Sequence, residues 1–74
     1  MIYIDIETNL AHDTIWCVVT MDGWKTKVWT KPDGLQAYLK GEEVCAHNLI
    51  GFDAPVLRKV WGVTIPVSKA VDKA

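Results

Sequence analysis

Hydrophobic and polar residues alternate through the first half of the chain, as expected for β-strands that bury one face. In residues 1–8, isoleucine occupies positions 2, 4 and 6. Residues 14–20 are nearly all β-branched or aromatic, and alternation returns in residues 24–30. Residues 21–23 end in a glycine, which is typical of a tight turn. The pattern therefore predicts three strands, the last two joined as an antiparallel hairpin.

Helical spacing appears in the second half of the chain, interrupted by one more short strand. The apolar positions predict a short helix over residues 35–40 and a longer helix over residues 52–61, with a fourth strand over residues 43–47 between them. Pro55 suits the first turn of the longer helix, where its missing N–H costs little. Gly62 is well placed to end that helix.

The order of these elements, β-β-β-α-β-α, predicts one α/β domain that spans residues 1–74. A strand-helix-strand step between the third and fourth strands favours a mixed sheet with helices packed against it. Residues 67–72 either begin another strand or continue without regular structure.

The composition excludes several classes of protein. Hydrophobic residues make up 50% of the 74 positions, which is too many for a disordered chain. No apolar run reaches the roughly 18 residues that a membrane span needs, and no basic segment precedes an apolar stretch as in a secretory signal. The net charge of −1 argues against binding nucleic acid mainly by charge. The charge does not argue against a protein that binds nucleic acid at a metal site.

A pair of acids on the first strand is the first candidate for chemistry. Asp5 and Glu7 are two positions apart, so both side chains leave the same face of the strand. Two carboxylates about 7 Å apart repel each other unless a cation lies near both. Oxygen ligands of this kind suit Mg²⁺ or Mn²⁺. The alternative is a strand with one solvated face and no metal.

A second cluster lies between the fourth strand and the longer helix, in the sequence CAHNLIGFD at residues 45–53. Asp53 is expected at or near the beginning of that helix, where it could supply a third carboxylate at the edge of the sheet. The alternative for Asp53 is an N-cap, because its side chain can accept unpaired backbone N–H groups. Asn48 could likewise be a turn former, and Phe52 a core residue beneath the helix.

Two segments resemble the motifs of a known enzyme family. Residues 4–8, IDIET, resemble the first motif of the DnaQ-like 3′–5′ exonucleases, and residues 47–57, HNLIGFDAPVL, resemble the second. The pattern is most similar to the proofreading domain at the N-terminus of T7-like phage DNA polymerases of the A family. The resemblance implies a ribonuclease-H-like mixed sheet. The third motif of the family has no match in these 74 residues, so the chain is expected to be the first part of such a domain.

The resemblance also implies roles for individual residues. Asp5 and Glu7 would bind metal, with Asp5 bridging two ions, and Asp53 would hold the second ion. These three acids would be the catalytic set for two-metal hydrolysis of a terminal phosphodiester with Mg²⁺ or Mn²⁺. The terminal nucleotide would be contacted by the three remaining residues of the expected site, Thr8, Asn48 and Phe52.

The expected substrate is the single-stranded 3′ end of DNA. The expected location is the cytoplasm of a bacterium or of a phage-infected host cell. A polymerase domain or subunit is expected to supply the third motif, and association of two copies is a further possibility. Two alternatives stay open. One is a non-catalytic interaction module or split-polymerase fragment that keeps the exonuclease fold, and the other is an exoribonuclease.

Overall fold

A five-stranded mixed β-sheet forms the centre of the molecule in a computed structural model that describes residues 1–72. The strands are β1 (Ile2–Thr8), β2 (Ile15–Asp22), β3 (Lys25–Trp29), β4 (Val44–Ala46) and β5 (Ala70–Asp72). Their order across the sheet is β3-β2-β1-β4-β5. The first three strands are antiparallel, whereas β4 runs parallel to β1 and β5 parallel to β4. The predicted mixed α/β domain is confirmed, and β1 is its central strand.

Two helical segments connect the strands. Helix α1 (Leu35–Leu39) links β3 to β4, and a longer helical segment over residues 49–61 follows β4. The longer segment consists of a π-helical turn, a short α-helical stretch and a second π-helical turn, at Leu49–Asp53, Ala54–Val56 and Leu57–Trp61. Gly62 ends it with φ 70, a left-handed conformation that glycine adopts without strain. No helix within residues 1–72 is long and apolar enough to cross a membrane.

One face of the sheet forms the hydrophobic core. The three isoleucines of β1 are at most 7% exposed and belong to one core cluster with residues of both helical segments. On the same face, the Trp29 Nε1–H donates a buried hydrogen bond of 3.0 Å to Thr20 Oγ1. Because side chains alternate along a strand, this packing leaves the polar residues of β1 on the opposite face.

The hairpin between β2 and β3 differs from the prediction by two residues. Strand β2 continues through Asp22, which pairs with Lys25 across a two-residue turn. Gly23 has φ 63, and Trp24 is fully exposed in the turn rather than the first residue of β3. The predicted turn at residues 21–23 was wrong. A two-residue turn of this kind needs a positive φ at its first position, which glycine adopts readily, so the turn begins at Gly23 and not before it.

The longer helical segment begins earlier than predicted. Residues 48–51 were expected to form a loop, but helical structure begins at Leu49. The Asn48 carbonyl accepts two N–H bonds, of 2.9 and 3.1 Å, across a wide π-type turn. A carboxylate oxygen of Asp72, from β5, accepts the N–H of Leu49 at 2.5 Å and that of Ile50 at 3.3 Å. The acceptor lies 23 positions along the chain from Leu49, so local spacing could not reveal this beginning.

The other boundaries differ less. Helix α1 ends at Leu39, one residue early, and β4 is confined to Val44–Ala46 rather than residues 43–47. After a 3₁₀ turn at Val67–Lys69, the chain forms β5. Of the two readings of residues 67–72, the strand is therefore correct for the last three.

Candidate active site

Asp5 and Glu7 lie on the exposed face of the central strand. Both side chains are exposed, whereas Ile4 and Ile6 are 1% and 7% exposed on the core side. The alternation predicted from sequence is therefore confirmed at this strand. The register with β2 shifts between Glu7 and Thr8, so the regular ladder ends where the two acids end.

Asp53 is the only acid that is buried among the described residues, at 7% exposed, and it lies in the first turn of the longer helical segment. Its carboxyl is close enough to Asp5 and Asp72 for their charges to disfavour its ionised form. Glu7, one pleat further along β1, is not among the charges that affect Asp53. The fold thus places Asp5 and Asp53 near enough for their charges to interact, with Glu7 on the same strand face as Asp5.

Burial changes the acidity of Asp53. Loss of solvent raises its pKa to about 6, and the negative charges of Asp5 and Asp72 act in the same direction. The Asp53 backbone N–H and the His47 side chain oppose this rise by favouring the carboxylate. A nearby cation would stabilise the ionised form more strongly than these two groups do.

The N-cap alternative for Asp53 is wrong. Its backbone N–H already donates to the Asn48 carbonyl at 3.1 Å, so the residue lies inside the helical segment rather than before it. Its side chain makes no capping hydrogen bond within the part of the chain that the structure describes. The carboxylate that caps this segment belongs to Asp72.

Asp72 is a residue of the site that the sequence reasoning missed. It pairs with Ala46 in the parallel ladder between β4 and β5. That pairing places its carboxylate at the beginning of the longer helical segment, within electrostatic reach of Asp53. No local motif marks this position, since the contact depends on the order of strands in the sheet.

Tyr3 and His47 also lie beside the acids. Tyr3 is two positions before Asp5 on the same strand face, and its ring meets the His47 ring edge-to-face with centroids 6.0 Å apart. Partial loss of solvent raises the pKa of the Tyr3 hydroxyl, and the charges of Cys45, Asp5 and Asp53 raise it further. The alternation of β1 could have identified Tyr3, because every second residue shares a face.

Of the expected nucleotide contacts, Phe52 lies between the core and the protein surface. Its half-buried ring packs partly against the core and meets the His12 ring edge-to-face, with centroids 4.9 Å apart. Both interpretations of Phe52 are therefore compatible with its position. The Thr8 hydroxyl donates to the Asn9 carbonyl at 3.0 Å, so Thr8 contributes to the turn after β1.

Asn48, the third expected nucleotide contact, is exposed and lies against Gly51. A Cβ atom added at Gly51 would be 2.6 Å from Asn48 Oδ1, which is closer than side-chain atoms pack. The glycine therefore leaves room for the Asn48 amide at the beginning of the helical segment.

The turn between β1 and β2 is held by hydrogen bonds of its own. Asn9 Oδ1 accepts the backbone N–H groups of Asp13 and Thr14, both at 3.1 Å, and Asn9 Nδ2 donates to Asp13 Oδ1 at 2.6 Å. The bond from Asn9 lowers the pKa of Asp13, and the Lys59 ammonium lowers it further. Lys59 therefore lies near this turn, seven residues after Phe52 along the helical segment.

The donor atoms at this end of the sheet suit a hard divalent cation. Asp5, Glu7 and Asp53 offer carboxylate oxygens, the ligands that Mg²⁺ and Mn²⁺ prefer. Within residues 1–72, no three Asp, Glu, His or Cys side chains form a compact set of metal ligands. The described residues therefore fit a divalent cation in the chemistry of their donor atoms and in the charge repulsion on Asp53, which a cation would offset.

No known family model matches the sequence, and no curated protein is significantly similar to it. The function is therefore inferred from the two motifs and from the positions of their residues in the fold.

Proposed function

We propose that this chain is the N-terminal part of a metal-dependent 3′–5′ exonuclease domain of the DnaQ-like type, with a ribonuclease-H-like fold, from a phage-type DNA polymerase. The observation that carries the proposal is the position of Asp53, which is buried in the segment after β4 and near enough to Asp5 on the central strand for the two charges to interact. The mixed sheet supports it, because three antiparallel strands are followed by a parallel fourth strand beside β1.

Asp5, Glu7 and Asp53 would hold the metal ions. Bound Mg²⁺ or Mn²⁺ would supply an activated water and charge stabilisation for the leaving 3′ oxygen. The chain's own contribution is to gather carboxylates on a rigid strand and a packed helical segment. Of the three carboxylates, that of the buried Asp53 would be stabilised most by a bound cation, since the cation offsets the repulsion from Asp5.

The surroundings of the acids suit a single-stranded end. The half-exposed Phe52 ring offers a surface on which an unpaired base could stack. The exposed Asn48 amide could hydrogen-bond to a base or a sugar. Lys59, whose charge acts on Asp13 in the turn after β1, could contact a phosphate. With a net charge of −1, the protein would depend on metal and stacking more than on general charge attraction.

The family's third motif, which supplies a further acid and a water-orienting Tyr or His, has no match in these 74 residues. We infer that a polymerase domain or subunit in the cytoplasm provides this third motif, or that a second copy of the chain contributes to the site. The 74 residues alone are expected to bind Mg²⁺ or Mn²⁺ weakly and to hydrolyse DNA slowly or not at all.

The test is binding of a 3′-labelled single strand in the presence and absence of Mn²⁺, followed by fluorescence anisotropy. The variants are Asp5→Asn and Asp53→Asn, with Asp33→Asn as a matched control in the loop before α1. We expect Mn²⁺ to strengthen DNA binding in the wild type and the control, and to have little effect in the two site variants.

The same assay separates the alternatives. Equal DNA binding by all four proteins, with or without Mn²⁺, would contradict the exonuclease proposal and favour an interaction module. Shortening of an RNA strand in preference to DNA, lost in Asp5→Asn, would indicate an exoribonuclease. Rapid DNA hydrolysis by the wild type would overturn the expectation that the 74 residues need a third motif.

A further inference from the structure

The beginning of the longer helical segment is tied to the edge of the sheet by one side chain. Asp72 Oδ1 accepts the N–H of Leu49 at 2.5 Å and the N–H of Ile50 at 3.3 Å. The first N–H groups of a helix have no partner within the helix, so an external acceptor satisfies them. A negative charge at this end also interacts favourably with the helix dipole.

Asp72 is itself held by the sheet. It ends β5, whose residues pair in parallel with β4 through Cys45 and Ala46. Strand β4 pairs in turn with β1 through Tyr3 and Cys45. A continuous ladder of backbone hydrogen bonds therefore connects the strand that carries Asp5 to the carboxylate that caps the helical segment.

Asp53 lies four residues after Leu49, about one turn along the segment. Residues four apart lie on the same side of a helix, so fixing the N–H of Leu49 also fixes the side from which Asp53 projects. The charge of Asp72 acts against the ionised Asp53 carboxylate. The favourable contribution of Asp72 therefore comes from capping the helical segment, and not from the interaction of its charge with Asp53.

We propose that Asp72 is a positioning residue: by capping Leu49 and Ile50 from β5, it fixes the helical segment so that Asp53 stands next to Asp5. The inference rests on the proposed function, since it assigns Asp72 an effect on metal binding by Asp53 and Asp5. Asp72 would act through the helical backbone and not as a ligand.

Two variants of Asp72 test this role. Asp72→Ala removes the acceptor, whereas Asp72→Asn keeps a carbonyl oxygen that can accept the same N–H groups without the charge. Asp33→Ala is the matched control, because it removes an exposed acid in the loop that follows the opposite edge strand, β3. The readouts are Mn²⁺ affinity, the amide NMR shifts of Leu49 and Ile50, and the NMR contacts around Asp53.

We expect Asp72→Ala to weaken Mn²⁺ binding about tenfold or more, as loss of a group that orients metal ligands commonly does. Asp72→Asn should recover most of that loss, and Asp33→Ala should leave the affinity unchanged. A folded Asp72→Ala protein with wild-type Mn²⁺ affinity would overturn the proposal. So would an Asp72→Asn protein that retains the Leu49 and Ile50 shifts but loses Mn²⁺ binding, because Asp72 would then act as a ligand.

Two further outcomes keep this test separate from that of the proposed function. If the wild type does not bind Mn²⁺, the proposed function fails, and positioning is judged from the NMR contacts around Asp53. Asp72→Ala should displace those contacts and Asp72→Asn should preserve them; unchanged contacts in Asp72→Ala would contradict positioning. If Asp72→Ala does not fold, Asp72→Asn is the deciding variant. Wild-type amide shifts of Leu49 and Ile50 together with wild-type Mn²⁺ affinity would support positioning, whereas retained shifts with lost affinity would contradict it.

Discussion

The substitution Asp53→Asn removes the one buried carboxyl of the candidate site and should change how stability depends on pH. Burial and the charges of Asp5 and Asp72 raise the pKa of Asp53 from 3.8 to about 6 in the folded protein. Between these two values the folded state binds more protons than the unfolded state. The free energy of unfolding therefore falls as the pH rises from about 4 to about 6, and this penalty remains at higher pH.

The size of the penalty follows from the two pKa values. A rise from 3.8 to about 6 corresponds to about 3 kcal/mol, at about 1.4 kcal/mol for each tenfold change in proton affinity. Asparagine has nearly the shape of the protonated carboxyl and does not ionise. Asp53→Asn should therefore match the wild type near pH 4 and be more stable by up to about 3 kcal/mol at pH 8.

Urea unfolding at pH 4, 6 and 8 in EDTA, followed by tryptophan fluorescence, measures this difference directly. Asp33→Asn, which removes an exposed carboxyl, serves as the control and should follow the wild type at each pH. A constant difference in the free energy of unfolding between Asp53→Asn and the wild type from pH 4 to pH 8 would contradict this prediction, because it would mean that Asp53 ionises as freely in the folded protein as in the unfolded chain.

Two further substitutions test the core and the expected nucleotide contacts. Thr20→Val removes the acceptor of the buried Trp29 N–H, so the free energy of unfolding should fall by about 1–3 kcal/mol in urea titrations; an unchanged value would mean that this bond contributes nothing. Gly51→Ala should displace the Asn48 amide while changing stability by no more than about 1 kcal/mol, because alanine favours helix. Mn²⁺-dependent DNA binding should weaken in Gly51→Ala, and full binding would exclude a role for Asn48 in its present position.

The central strand could be predicted from sequence because its information is local. Alternating isoleucines specify which face of β1 is buried, and the same alternation places Asp5 and Glu7 together on the other face. The position of Asp53 next to Asp5 could be expected only from the two motifs. Its burial could not, since burial depends on how the helical segment packs on the sheet.

The beginning of the helical segment could not be predicted, because its cap comes from another strand. Residues 48–51 contain asparagine and glycine, which locally favour a loop. Hydrogen bonds from Leu49 and Ile50 to Asp72 override that preference once β5 has joined the sheet. Sequence spacing therefore located the acids of β1 but missed the residue that ties the helical segment to the sheet.

Paramagnetic broadening of NMR signals by substoichiometric Mn²⁺ would show whether Asp5, Glu7 and Asp53 bind a divalent cation. Residues 42–43, two adjacent exposed glutamates, provide an internal comparison within the same chain. We expect the broadening to be strongest around Asp5, Glu7 and Asp53 and largely to disappear in Asp53→Asn. Broadening centred on residues 42–43, or unchanged by Asp53→Asn, would contradict it.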